Sequence, residues 1–584
     1  MKRNVCNGMQ STVPKVKASK SLSLSGKKMK HLLFEYYGTC NSEEGFRLLK
    51  DYATRQFNAF LWISLVTITA LLLEKLFKLF SLWSKARRIA GPPCSSFFGH
   101  NHFGSRGNFI DLLSELHNKY GSVFKLWLGP TQLLVSIKDP ELIKEMLLKA
   151  EDKLPITGKA FRLAFGQSSL FFCSYEQAEK RRESLALQLN EKLLGRADIF
   201  PKSVIDSIME RIDEIMSEGG VDCKIVSQHM AFTILGTTLF GEAFLAWSKA
   251  NFYEDLLMMI AKDASFWASY RVTPFWKQGF WRYQSLCTNL KYLTQDMVQQ
   301  CRKNCKLFHH VDQNSKFETV KYGMKTASGI PSSGVVLQDK FSRRLDGHLN
   351  SKEDPCGNIM GMMFHGCIAT AGLVSSILER LVTTPEIQDK IYSEIIMVRH
   401  GLSEDAQNVD KMVLLLATIY ESARLLSPGP LLQRCSLKDD LRLKNGVTIP
   451  AGAVLVVPVH LLQMDETSWG SDASKFNPYR FLSKIGKATD SEQNISFAEV
   501  AEGSVDPTRS SFILKDPNDN AAFLSFGSGI RACVGEKFVI RGVATLFASL
   551  LERYEVRRQP RLGNDPKSSG PEMVFVRRNS QEED

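Results

Sequence analysis

The sequence predicts a mainly α-helical protein with a small β region, preceded by a single N-terminal transmembrane helix. Three observations carry that expectation. Residues Phe57 to Leu73 run 17 positions without a charge, near the lower limit for crossing a bilayer. Helical periodicity of apolar residues dominates from Asp139 to about Cys305. Strand composition is confined to short stretches, first Val123 to Trp127 and Leu133 to Ile137 on either side of a Gly129-Pro130 turn.

Taken in chain order, residues 1–56 read as a basic leader, disordered or targeting. They hold 11 Lys and Arg against 4 Asp and Glu, and so +7 of the +12 formal charge. Because the excess sits in the leader and no zinc-finger or basic-zipper spacing occurs, a nucleic-acid reader is excluded in favour of targeting or a membrane surface. Residues 1–34 contain no acid and eight Lys or Arg, the composition of organelle transit peptides, and Met29 is an alternative start. Residues 57–83 form the anchor and its interfacial segment: Lys75 and Lys78 snorkel while Phe77, Phe80 and Trp83 sit at headgroup level. Basic residues flank both ends, so orientation stays open. Residues 84–107 are a basic, Pro-rich hinge around Gly91, Pro92 and Pro93.

Residues 108–584 are the folded domain. Asp111 to Tyr120 reads as a helix, the two strands follow, and polar loops cover about 308–354 and 483–520. The 12 Cys are scattered, and Cys301 and Cys305 lack a partner pair at zinc spacing, so a reducing compartment is expected.

The strongest chemical signal is Phe526-Gly527-Ser528-Gly529-Ile530-Arg531-Ala532-Cys533-Val534-Gly535. Its glycines permit a tight turn and close backbone approach, so that amide groups can point at a sulfur. A helix opening after Gly535 turns its positive end toward an anionic thiolate. The run resembles the haem-binding loop FxxGxRxCxG of the cytochrome P450 family, with every specified position present. The resemblance implies a triangular-prism fold and a b-type haem whose iron is bound by Cys533. It also implies Arg531 on a haem propionate, Phe526 packed against the loop, and turn geometry supplied by Gly529 and Gly535.

Further segments extend the resemblance over about 470 residues. Glu421-Ser422-Ala423-Arg424 puts an acid and a base on one helix face. Phe476 to Phe481, similar to the family's FxPERF segment with Tyr479 in place of Glu, adds Arg480. Together Glu421, Arg424 and Arg480 imply a buried structural triad. Pro428, Pro430 and Arg434 resemble the segment whose Arg reaches a propionate. Leu441 to Val457 resembles a β hairpin. The family's WxxxR falls on Gln177 and Arg181, which implies a second propionate contact without the Trp, with Lys180 and Arg182 toward an acidic electron donor.

One family segment is altered. Where (A/G)GxDTT is usual, Phe364-His365-Gly366-Cys367-Ile368-Ala369-Thr370 stands, in a register set by Pro385, 20 residues after His365. A register through Ala371-Gly372 and Ser375-Ser376 shortens that spacing and is disfavoured. The acid becomes Ile368 and the first Thr becomes Ala369, leaving Thr370 as the hydroxyl. Candidate residues above the haem are therefore His365, Gly366 and Thr370. The proton for oxygen activation is left to water or a substrate hydroxyl, to His365, or to chemistry that starts from a peroxide. His365 is open to proton donation, iron ligation or plain packing.

The resemblance thus implies a monooxygenase that inserts one atom of dioxygen into a lipophilic small molecule, with electrons from NADPH through a flavoprotein reductase. It implies an endoplasmic reticulum anchor with a cytosolic catalytic domain; the basic leader makes a plastid or mitochondrion the alternative. Two other classes stand beside it: a dioxygen-independent hydroperoxide isomerase or lyase, and a non-catalytic haem or lipid sensor.

Overall fold

The computed structural model describes residues 42–94, 99–100, 109–127, 129–149, 182–183, 186, 202–217, 221–240, 244–268, 277–304, 355–399, 409–426, 432–435, 439–484, 512–529, 532–558 and 572–578. The chain divides into two compact units, residues 1–83 and 84–584.

Helix α1 (Ser42–Ala86) contains no proline, and its apolar side chains are bare: Phe60, Trp62, Ile63, Leu72 and Phe77 are all exposed. Burial against protein therefore does not account for its composition, and its Phe46–Ala86 stretch is a candidate membrane span. Thr67 Oγ1 returns its hydrogen bond to Ile63 O at 2.7 Å, which satisfies the hydroxyl inside the helix. The helix is longer than the charge-free run at both ends and begins inside the expected leader. At 1.5 Å per residue its 45 residues extend about 67 Å, roughly twice a ~30 Å hydrocarbon core, so the helix is longer than one crossing requires. Glu74 and Lys78, which interrupt the apolar run, face each other one turn apart as an ion pair.

In the second unit the Pro-rich hinge follows strand β1 (Val123–Trp127). Lys125 N donates to Ala90 O at 2.8 Å, and His100 N to Trp127 O at 2.7 Å. Gly91 has φ +155°, and a Cβ there would lie 2.5 Å from Lys125 O. The segment expected as a linker is thus pinned to the sheet where it is described. Strand β2 (Leu133–Ile137) pairs antiparallel with β1 as the hairpin reading predicts. The sheet is completed by β7 (Val454–Val457), parallel to β2, and β4 (Leu432–Cys435).

Helix α2 (Phe109–Tyr120) covers this sheet through His117, whose Nε2 pairs with Ser136 Oγ at 2.8 Å and whose Nδ1 pairs with Gly121 O at 3.0 Å. Burial pushes the His117 pKa down to about 4. The unfolded chain therefore takes up a proton that the fold refuses between about pH 6.5 and 4, so stability falls on acidification. Between pH 7 and 5 the domain is expected to lose roughly 1–2 kcal/mol through this group, read as a lowered thermal midpoint. A His117→Asn variant with the same acid sensitivity as the parent would refute this.

The helical body comprises α3 (Pro140–Lys149), α4 (Lys202–Ser217), α5 (Cys223–Phe240), α6 (Ala250–Ala268), α7 (Gln278–Asn304), α8 (Pro355–Thr383), α9 (Pro385–Arg399) and α10 (Val413–Leu425). Two short helices follow, α11 (Val459–Gln463) and α12 (Glu466–Trp469), then α13 (Glu536–Arg553). The remaining strands are short: β3 (Val221–Asp222), the pair β5 (Leu441–Arg442) and β6 (Thr448–Ile449), the pair β8 (Leu482–Lys484) and β9 (Phe512–Leu514), and β10 (Tyr554–Arg558) beside β11 (Glu572–Arg577). The β8–β9 pair closes the ends of the segment expected as a polar loop. Helix α8 is as apolar as a membrane span, yet most of it is buried. Met360, Met363, Phe364, Val374 and Leu378 on α8 join Leu415 and Ile419 of α10 and Phe547 of α13 in one core.

Candidate active site

The loop before α13 is shaped by its glycines. Gly527 and Gly529 have φ of +74° and +67°, conformations a side chain resists. A Cβ on Gly529 would meet the Leu147 carbonyl oxygen of α3 at 2.8 Å. The turn closes when Cys533 N donates to Phe526 O at 2.8 Å and Ala532 N to Gly529 O at 3.0 Å. This leaves Cys533 exposed and outside any disulfide just ahead of α13, whose N-cap is Gly535. Phe526 packs 6.3 Å from the Phe523 ring. Arg182 donates to Ala532 O, next to the cysteine, so this cation braces the loop. Arg531 and Arg181 lie outside the described residues; Arg434 is on β4, opposite Leu455, and only its backbone is described.

The expected triad is assembled. Glu421 and Arg424, on α10, are fully buried, with Arg424 Nε 2.7 Å from Oε2 and Nη2 2.9 Å from Oε1. Arg480 Nε lies 3.0 Å from the same Oε1. One carboxylate between two cations in a dry interior requires every remaining donor to be used. Accordingly Asn477 N donates to Glu421 at 2.9 Å, Arg480 Nη1 to Trp469 O at 2.8 Å and Arg424 Nη1 to Gln463 O. The Arg424 guanidinium stacks 5.0 Å over Trp469. The N-terminus of α10 has no side-chain cap of its own. Glu394 of α9 takes that part, accepting from Leu414 N at 2.9 Å and Leu415 N at 3.0 Å, while burial pushes its carboxyl up to about 7.

A link that sequence reading missed joins the triad to the cysteine loop. Gln463 Nε2 donates to Ser525 Oγ at 2.8 Å, and Ser525 Oγ donates to Ala423 O of α10 at 2.8 Å. Gln463, Ser525 and Trp469 carry no motif, and Asn477 holds the unspecified position of the FxPERF-like segment. Their only signal is position beside residues that do.

On α8 the expected residues separate. At about 100° per residue, His365, Ile368, Ala369 and Gly372 share one sector. Ile368 (36%) and Ala369 are exposed and His365 and Gly372 half-buried, on a helix otherwise mostly buried. Farther along this sector, Gly372 approaches Leu426, and Ser376 Oγ donates to Ser422 O of α10 at 3.4 Å. The open sector and the cysteine loop therefore both adjoin α10. Gly366 faces the other way: a Cβ there would lie 2.7 Å from Leu235 of α5, which makes it a close-packing residue. Thr370 falls on that same side and is buried at 3% exposure. Both were expected above the haem, and helical phase turns them off the open face. Ser375 is engaged with Cys223 Sγ at 3.3 Å, so neither serine of the alternative register lies free on the open stretch.

Comparison with known proteins agrees with this architecture. A family model described as Cytochrome P450 matches residues 89–582. The chain is 26% identical over 475 residues to 11-oxo-beta-amyrin 30-oxidase of Glycyrrhiza uralensis, covering 78% of this chain and 80% of that protein. It is 22% identical over 496 residues to Cytochrome P450 4X1 of Homo sapiens, covering 81% and 86%. It is 22% identical to LUTEIN DEFICIENT 5, chloroplastic, of Arabidopsis thaliana, covering 77% and 70%. With the loop, the buried triad and a match across nearly all of the second unit in agreement, the chain belongs to the cytochrome P450 family.

Proposed function

We propose that this chain is a membrane-anchored haem-thiolate monooxygenase acting on a lipophilic small molecule, with Cys533 as the iron ligand. The observation that carries the reading is an exposed Cys533, outside any disulfide, in a loop closed by two left-handed glycines. A haem fits these residues. The sulfur is accessible at a helix start, where the helix end favours a thiolate, and the partly apolar face of α8 adjoins the same helix as the loop. Haem, when bound, activates dioxygen and carries the electrons for its cleavage.

Around it the chain's own residues hold and orient. Phe526 O and the glycine turns fix the Cys533 backbone, Arg182 and Ser525 tether the loop, and the triad anchors α10 beneath it. Arg531, Arg434 and Arg181 are assigned to the haem propionates by their place in the family motifs. Ile368 and Ala369 give the substrate side an apolar surface, suited to a lipophilic molecule. Electrons come from NADPH through a flavoprotein reductase. The apolar α1 supports membrane attachment, with the endoplasmic reticulum as the proposed compartment; the chloroplastic relative keeps a plastid as the alternative.

The test is the absorption spectrum of the reduced, CO-bound full-length chain against Cys533→Ser. The red-shifted Soret band of thiolate ligation is expected in the parent and absent from the variant. No haem uptake, or an unchanged band in Cys533→Ser, would sink the assignment.

Thr370 turned into the core favours a second reading, a hydroperoxide isomerase or lyase, because such chemistry needs no proton relay on α8. Substrate-stimulated NADPH consumption with reductase supports the monooxygenase. Turnover of a fatty-acid hydroperoxide alone supports the isomerase or lyase.

A further inference from the structure

A monooxygenase cycle draws two electrons from the reductase and two protons, placing one oxygen atom in product and one in water. On α8 the groups that ordinarily pass those protons are absent from the open face. Ile368 carries no proton there, nor does the methyl of Ala369. Thr370 is buried on the opposite side, Ser375 is engaged with Cys223, and Ser376 donates to Ser422 O. Among the four residues of the open sector only His365 has an ionisable side chain. It stands three and four positions before Ile368 and Ala369, so its side chain shares their surface. It is half-buried, with its ring edge-on to Phe364 at 5.2 Å. An imidazole can release a proton from one ring nitrogen and accept another at the second.

Resting on the haem-thiolate reading, we infer that His365 supplies the proton on the open face of α8, in place of the acid and hydroxyl that Ile368 and Ala369 displace. It would act as a relay, its imidazole releasing a proton toward the open face of α8 and regaining one from solvent. Water is the terminal source, and no oxidant beyond dioxygen is required.

The test uses the full chain loaded with haem, with CO and reductase-driven NADPH oxidation as probes, so that the natural substrate need not be known. The parent and His365→Leu must both keep the thiolate Soret band; its absence from the parent defeats the haem-thiolate reading instead. With the band present, loss of the nearby donor shifts the infrared C–O stretch in His365→Leu, whereas Thr370→Val leaves it in place. Water formed per NADPH falls by about tenfold or more in His365→Leu, with hydrogen peroxide in its stead. Adding Ile368→Asp to His365→Leu restores most of that yield. Should His365→Leu fail to load haem, His365→Phe, which also has no donor, carries the same comparison. If either the C–O stretch or the water yield is unmoved while the Soret band is intact, His365 is a packing residue and the inference is overturned.

Discussion

Replacing Glu421 by Ala is expected to cost the domain about 3–5 kcal/mol, because Arg424 stays behind in a dry interior without its carboxylate and Arg480 keeps only the partly exposed Asp472 at 3.1 Å. Both acid oxygens are in use, Oε2 on Arg424 and Oε1 shared by Arg424, Arg480 and Asn477 N. Neither cation can follow water outward, since Arg424 is fully buried and Arg480 nearly so. The loss is a large share of the ~5–15 kcal/mol that stabilises a typical domain. It should reach the cysteine loop as well, because Arg424 holds Gln463 and Gln463 holds Ser525. Denaturant unfolding of the haem-loaded protein, with haem content measured in parallel, reads both effects. Glu421→Gln, which keeps the acceptor oxygen and loses the charge, is expected to fall between the parent and Glu421→Ala. A Glu421→Ala variant within 1 kcal/mol of the parent would show that the charges are screened and the triad is dispensable.

The second large effect is expected at Gly529. An alanine there meets a left-handed backbone penalty of about 1–2 kcal/mol and a carbonyl oxygen of Leu147 at 2.8 Å. That neighbour is backbone, so no rotamer change relieves the overlap and the loop itself must move. Because Cys533 closes the same turn, the displacement acts on the thiol directly. Haem affinity should drop by about tenfold or more, since each 1.4 kcal/mol is a factor of ten, while unfolding of the helical body changes little. Gly446 supplies the control: its φ is +83°, but nothing lies within 4 Å of an added Cβ. Gly446→Ala should cost about 1 kcal/mol of backbone strain and leave haem content intact. Equal haem content in Gly529→Ala and Gly446→Ala would refute the loop argument.

What could be read in advance was local. The Cys533 loop is legible because glycine, cysteine and arginine at fixed offsets are chemistry written within ten consecutive residues. The β1–β2 hairpin is legible for a similar reason, as strand composition around a Gly-Pro turn. Glu421 and Arg424 lie one helical turn apart, and motif resemblance alone supplied Arg480. Thr370, which the structure buries, shows the opposite case. Type and order put it on the substrate side, but which side of α8 it faces depends on what packs there, and α5 takes the Gly366–Thr370 side. The hinge, too, has a linker's composition, and contact with β1 pins it.

By itself, then, the sequence determined the family, the iron-ligand candidate, the charge triad and the long apolar helix at the N-terminus. Each is encoded by residue type at short, fixed spacing. Only the tertiary structure decided which face of α8 is open, that Gly366 is a packing contact, and that Gln463 and Ser525 tie the triad to the cysteine loop. Those outcomes depend on which helix lies against which, and helix phase relative to a neighbour is set by the fit of both surfaces together.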